Sequence, residues 1–173
     1  MPGAEDRGGH RSARAAGRPT RGQALSWARV AAVAIAVIVA DQLSKHAIRK
    51  SIVPGEQRRL FPGVQLVDTR NRGVAFGFLP GEHLAVTILI GVALAVLLVY
   101  FALHVGEPLL WLPTGLLLGG ALGNILDRLR EGAVTDFIKL PLGWPPFNLA
   151  DACITVGIVM LFVLIDRARQ ASP

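Results

Sequence analysis

Four stretches of apolar side chains dominate this chain, separated by polar segments of very unequal length. The first runs from about Trp27 to Ile48, the second from Leu84 to Val105, the third from Pro108 to Leu129 and the fourth from Phe147 to Ile165. No side chain from Leu84 to Val105 is charged at neutral pH, and Pro108 to Leu126 is equally clean. Helices of that length reach across the roughly 30 Å hydrocarbon core of a bilayer. Each stretch is therefore expected to be a membrane-spanning helix. The first is too long for a signal-peptide core and no small-residue cleavage site follows it, so it is read as retained. His104 to Pro108 makes a tight connection, so the second and third spans should form an antiparallel hairpin. Four spans put both termini on one side.

The two longer connections, Arg49 to Glu82 and Arg130 to Pro146, then emerge together on the opposite face. In the first, Val64 to Val67 and Val74 to Phe78 have strand character and flank a polar turn at Asn71-Arg72-Gly73. In the second, Val134 to Leu140 reads as a short strand before the breaker-rich Gly143-Trp144-Pro145-Pro146. A small sheet resting on the membrane surface is expected. The pattern divides the chain into a basic tail over 1–26 read as disordered, a membrane domain over 27–166, and a second tail over 167–173. No internal repeat is evident, which disfavours a transporter built from inverted repeats.

Composition agrees with this patterning. Hydrophobic residues make up 52% of the 173 and charged residues 17%, against roughly 25% charged in soluble domains. A soluble globule and a disordered chain are both excluded. The lone Cys153 rules out an internal disulfide framework. The formal charge of +6 raises the question of a nucleic-acid partner. Six arginines lie between Arg7 and Arg29, but no aromatic residue interleaves with them before Trp27, so bases have no stacking platform. A solvated cytoplasmic tail beside anionic lipid accounts for them, and no nucleic acid is expected. Counting positive charges near the span ends gives nearly equal totals on the two faces, so sidedness stays open on that ground.

Scarce charge makes each charged residue near a span informative, because one deep in a bilayer costs roughly 2.5–3.5 kcal/mol. Asp41, Asp127, Asp136 and Asp151 all fall toward the same face by this topology. Asp41 and Lys45 share a helix face, as an interfacial ion pair or as part of a site. Asn124, Asp127 and Arg128 form a polar stripe that serves bonding or function. Asn148 and Asp151 sit where a helix cap would sit, and taken alone they read first as capping residues. Gly115, Gly119 and Gly123 repeat every fourth residue, a small face for close helix approach. The four histidines are scattered, and neither an H-E-x-x-H zinc motif nor a G-x-S-x-G elbow is present. No metal or other cofactor is expected. Hydrolysis, if the protein performs it, falls to carboxylates: two close aspartates share a proton, one acting as acid and the other as base.

Five segments in order carry a specific resemblance. They are Asp41-Gln42-Leu43-Ser44-Lys45, Asn71 to Phe76, Gly119 to Arg128, Val134-Thr135-Asp136-Phe137 and Phe147-Asn148-Leu149-Ala150-Asp151. Together they resemble the signatures of signal peptidase II, the lipoprotein signal peptidases of bacterial membranes. The resemblance implies four transmembrane helices with a small extracytoplasmic β-sheet cradle and both termini cytoplasmic. It also implies an aspartic endopeptidase of the inner membrane that acts as a monomer among membrane lipid. Its substrates would be diacylglyceryl-modified prolipoproteins cut just before the lipidated cysteine, and globomycin-type cyclic peptides would inhibit it. By motif, Asp136 and Asp151 match the catalytic pair. Asp41, Lys45, Asn71, Asn124, Arg128 and Asn148 match residues lining the site, and Asp127 a supporting one. Ser44 and Val74 depart from the usual pattern without touching those groups. Two other functions remain: a proton- or ion-coupled transporter using intramembrane carboxylates, and an assembly subunit using the glycine face.

Overall fold

A computed structural model describes residues 20–72 and 83–170, without side-chain detail for 83–86. Its elements are α1 (Arg21–Ser51), β1 (Gln57–Phe61), β2 (Val64–Asn71), α2 (His83–Leu103), α3 (Trp111–Glu131), β3 (Val134–Lys139) and α4 (Leu149–Gln170). The chain is mostly helical, with one small antiparallel sheet. All four apolar stretches are helices. α1 starts at Arg21 because a capping box forms there: Thr20 Oγ1 accepts from Gln23 N at 3.3 Å, and Gln23 Oε1 accepts from Thr20 N at 2.9 Å. Residues 21–26 are thus helical rather than part of a disordered tail; residues 1–19 lie outside the described part. At the other end α4 runs to Gln170, beyond the expected Ile165.

Burial along α1 falls on Val30, Ala34, Val37, Asp41, Lys45 and Ile48, spaced three and four apart. That is one helical stripe, apolar for its first half and ionic for its second. It packs on α3, which is the central helix: α1, α2 and α4 all lie against it, and α2 also meets α1 where the Trp27 and Phe101 rings stand edge to face at 4.7 Å. Helices in lipid gain little from hydrophobic burial against each other, so close van der Waals approach must hold them. Glycines provide it. A Cβ on Gly119 would stand 2.7 Å from Ala34 O on α1, and one on Gly120 would stand 2.6 Å from Ala150 O on α4. Outward faces carry large apolar side chains, such as Ile35, Val39 and Leu43 on α1 and Val159 and Phe162 on α4. α1 and α4 are long and apolar enough to cross a membrane; α2 contributes a shorter apolar stretch, Thr87–Leu103.

The sheet has the order β1-β2-β3, antiparallel throughout. β2 and β3 begin at the expected Val64 and Val134. β1 was not expected, since Gln57-Arg58-Arg59-Leu60-Phe61 lacks alternation, and every one of its residues is exposed. The hairpin partner of β2 is therefore β1, joined through Pro62 and Gly63. The expected strand over 74–78 lies outside the described residues. Ile48 and Ile52 at the end of α1 pack with Phe137 of β3, seating the sheet on the helix ends. Gly132, at φ 65°, ends α3 in the left-handed conformation that favours glycine. That reversal returns β3 across the end of α3 and sets Asp136 beside it.

Candidate active site

The ionic half of the α1 stripe is the foundation of the site. Lys45 is fully buried, and its ammonium lies 2.7 Å from Asp41 Oδ2, 3.0 Å from Asp127 Oδ2 and 2.9 Å from Asn124 Oδ1. Three partners match its three N–H donors. Asp41 and Asp127 are buried to the same degree, 0% and 1% exposed. Their remaining lone pairs are also engaged. Asp41 Oδ1 accepts from Ala150 N at 3.0 Å, and Asp127 accepts from Thr135 N at 3.2 Å and Gln42 Nε2 at 2.9 Å. A buried charge persists only where it is paired and bonded in this way. The cluster therefore ties α1, α3, β3 and the start of α4 to one point.

From that point an amide chain leads to two further carboxylates. Asn124 accepts from Lys45 and turns its Nδ2 to Asp151 Oδ1 at 2.8 Å. Asn148 caps α4: its Oδ1 accepts from Asp151 N at 2.9 Å, and Asp151 Oδ2 accepts from Asn148 N at 3.1 Å. This reciprocal pair is a capping box. The same Asn148 side chain donates through Nδ2 to Asp136 Oδ1 at 2.7 Å and to Asn124 Oδ1 at 3.2 Å. Asn71, at the end of β2, donates to Asp136 Oδ2 at 2.9 Å. One asparagine thus grips both carboxylates, and capping and site geometry are the same contacts. Arg128 donates to Asn124 O at 3.3 Å and stands within electrostatic reach of Asp127, Asp136 and Asp151.

Burial raises the Asp136 carboxyl from its ordinary 3.8 to about 6. The two amide donors pull it down, and neighbouring Asp151 pushes it up. A carboxyl titrating there can keep a proton near neutrality, as a general acid needs.

Asp136 and Asp151 open into a cavity of about 1070 Å³. Its polar end is formed by Asn71, Asn124, Arg128, Asp136 and Asp151; the rest is apolar. Ile90, Leu94 and Leu97 of α2 make one wall, Ile154, Ile158 and Leu161 of α4 the other, and Leu117 and Ala121 of α3 the floor. With residues of α2 and α4 facing each other across it, this space is a lengthwise cleft between the two helices. It runs to Ile165, about 21 Å along α4 from Asp151.

All nine residues singled out in the sequence therefore meet in one network. Gln42 and Thr135 complete it without having been singled out. Gln42 bridges Asp127 and the Gly123 carbonyl, and Thr135 accepts from Arg49 at 3.0 Å while donating its N–H to Asp127. Only adjacency to Asp41 and Asp136 could have marked them. Cys153 is half-buried on α4.

Comparison with known proteins gives a consistent result. Residues 33–166 match the family model described as signal peptidase (SPase) II. The chain is 40% identical over 137 residues to a lipoprotein signal peptidase of Syntrophomonas wolfei, covering 78% of this chain and 91% of that protein. It is 41% identical over 161 residues to that of Burkholderia vietnamiensis, covering 88% and 93%. Two solved structures, each described as a bacterial membrane enzyme, share the fold. One has a TM-score of 0.76 and 28% identity over 83% of this chain and 91% of its own; the other has 0.69 and 30% over 83% and 94%.

Proposed function

This chain belongs to the signal peptidase II family of aspartic proteases, and from that membership we propose that it removes signal peptides from diacylglyceryl-modified prolipoproteins, cutting just before the lipidated cysteine. The observation that carries the proposal is Asn148 holding Asp136 and Asp151 together at the polar end of an apolar cleft. One carboxylate takes a proton from water, and the oxygen attacks the scissile carbonyl carbon. The other, protonated, donates to the carbonyl oxygen as negative charge develops there, and a proton then passes to the leaving amide nitrogen. The shared proton belongs to the pair. Substrate filling the cleft removes further water and favours the neutral carboxyl more strongly. Arg128 adds positive charge near the developing oxyanion.

The remaining sites act as scaffold. Lys45, with Asp41 and Asp127, fixes the amides of Asn124 and Asn148, and Asn71 orients Asp136. All four helices cross the inner membrane, with both termini cytoplasmic and the sheet on the extracytoplasmic side. The membrane domain, from the start of α1 to the end of α4, works as a monomer among lipid. Acyl chains enter sideways between α2 and α4, whose apolar walls suit a substrate that never leaves the bilayer. A transporter is disfavoured because Asp41, Asp127, Asp136 and Asp151 gather in one cluster rather than in a relay.

The test is cleavage by purified protein in vesicles, followed by mass spectrometry of the products. The diacylglyceryl precursor should be cut before its modified cysteine, and the unmodified precursor should be left intact. Equal cleavage of both would refute the substrate assignment.

A further inference from the structure

The two ends of the sheet differ in kind. Asn71 pairs with Val134 at one end, beside Asp136. At the other, Gln65 pairs with Lys139 and Phe61 with Val64, so the Pro62-Gly63 turn and the loop after β3 project together. That far end is apolar. Leu60 and Phe61 are 56% and 54% exposed, and Leu142 is 103% exposed, standing fully clear of the protein. Leu142 also has φ 63°, a left-handed conformation in which leucine is strained. The loop thus holds a large apolar side chain outward where a glycine would be unstrained. The two clusters lie on opposite edges of the sheet, two strand spacings or about 10 Å apart. Cations flank them: Arg59 is exposed, and the Lys139 ammonium reaches the surface beside Gln57.

We propose that this end of the sheet is a membrane-insertion tip, with Phe61 and Leu142 entering the headgroup–acyl boundary and Arg59 and Lys139 facing anionic lipid phosphates. Three observations identify a bilayer as the occupant. The sheet is seated directly on the end of α1 through Ile48 and Ile52, so the bilayer that surrounds α1 lies alongside it. The exposed apolar surface of α1 continues upward to Leu43. The charge has the right sign, since residues 49–72 carry six arginines and lysines against Glu56 and Asp68. Large apolar side chains beside basic ones are the pattern of interfacial anchors. The tip gives the sheet a second attachment, so that Asp136 is held at a fixed height above the bilayer. The lipid-borne bond then meets it at a constant depth.

The proposal rests on the membrane reading of α1, and the experiment separates the two. In a Cys153→Ser background, single cysteines replace Phe61, Leu142, Arg58 or Leu43 in the full-length protein. Each carries an environment-sensitive fluorophore, in vesicles of phosphatidylglycerol and phosphatidylcholine. Nitroxide on lipid near the headgroup and aqueous iodide serve as opposing quenchers, and retained precursor cleavage confirms folding. Labels at 61 and 142 should be quenched by lipid nitroxide and lose iodide quenching, as at Leu43, whereas the label at 58 should respond to iodide. Iodide quenching at 61 and 142 with lipid quenching at 43 would overturn the tip alone. Iodide quenching at 43 as well would overturn the membrane reading and the tip with it.

Discussion

Replacing Lys45 with methionine keeps the length and volume of the side chain and removes its charge. In the native protein that charge lies 2.7 and 3.0 Å from two carboxylates, with all three groups essentially unexposed. At an effective dielectric of about 20, each contact corresponds to roughly 6 kcal/mol of gross attraction. Desolvation of the three groups offsets much of that, and the variant does not recover it, because both aspartates stay buried. Removing one partner of a buried pair typically costs about 3–5 kcal/mol. For a chain of this size that corresponds to a fall in Tm of roughly 6–20 °C. Activity should fall too, since Asn124 loses the ammonium that orients its amide toward Asp151. Thermal unfolding in detergent gives the stability, and precursor cleavage gives the rate. Adding Asp127→Asn to Lys45→Met should recover part of the loss, because one uncompensated charge then disappears. A Lys45→Met protein within about 1 kcal/mol of wild type and fully active would refute the reasoning.

Three further consequences follow from particular contacts. Asp136, with its folded pKa raised to about 6 from 3.8, stabilises the fold below pH about 4 relative to neutrality, and this contribution is lost as pH rises through about 6, a change of about 3 kcal/mol. Asp136→Asn should flatten that part of the stability–pH curve, measured by denaturant unfolding from pH 4 to 7, and a variant curve parallel to wild type would contradict the shift. Gly119→Leu should part α1 from α3, because even a Cβ there meets Ala34 O at 2.7 Å and Val37 Cβ at 2.8 Å; a loss of more than about 2 kcal/mol is expected. Gly91→Ala meets nothing within 4 Å and should be close to neutral by the same unfolding measurement.

The helices were legible because the apolar stretches are long and their interruptions are few. Their ends were less so, since the Thr20–Gln23 box and the extension of α4 depend on local bonds that hydropathy does not register. β1 was invisible for a physical reason: it buries none of its side chains, so alternation had nothing to report. The site residues were named from motif resemblance, and topology placed the four aspartates toward one face. Neither disclosed how they are joined. Asn148 read first as a helix cap, and it is both cap and site residue by contact, because the start of α4 is folded against Asp136. Gln42 and Thr135 escaped notice because their role is to fill lone pairs left over by other residues. Such needs exist only once the chain is folded.

The central claim is that Asp136 and Asp151 together activate the attacking water. Its most direct test is cleavage of diacylglyceryl precursor by reconstituted Asp136→Asn and Asp151→Asn proteins, each first shown to unfold cooperatively. The account predicts that both variants retain the fold and neither releases signal peptide above background. Turnover retained by either folded variant would contradict it and remove that residue from the pair.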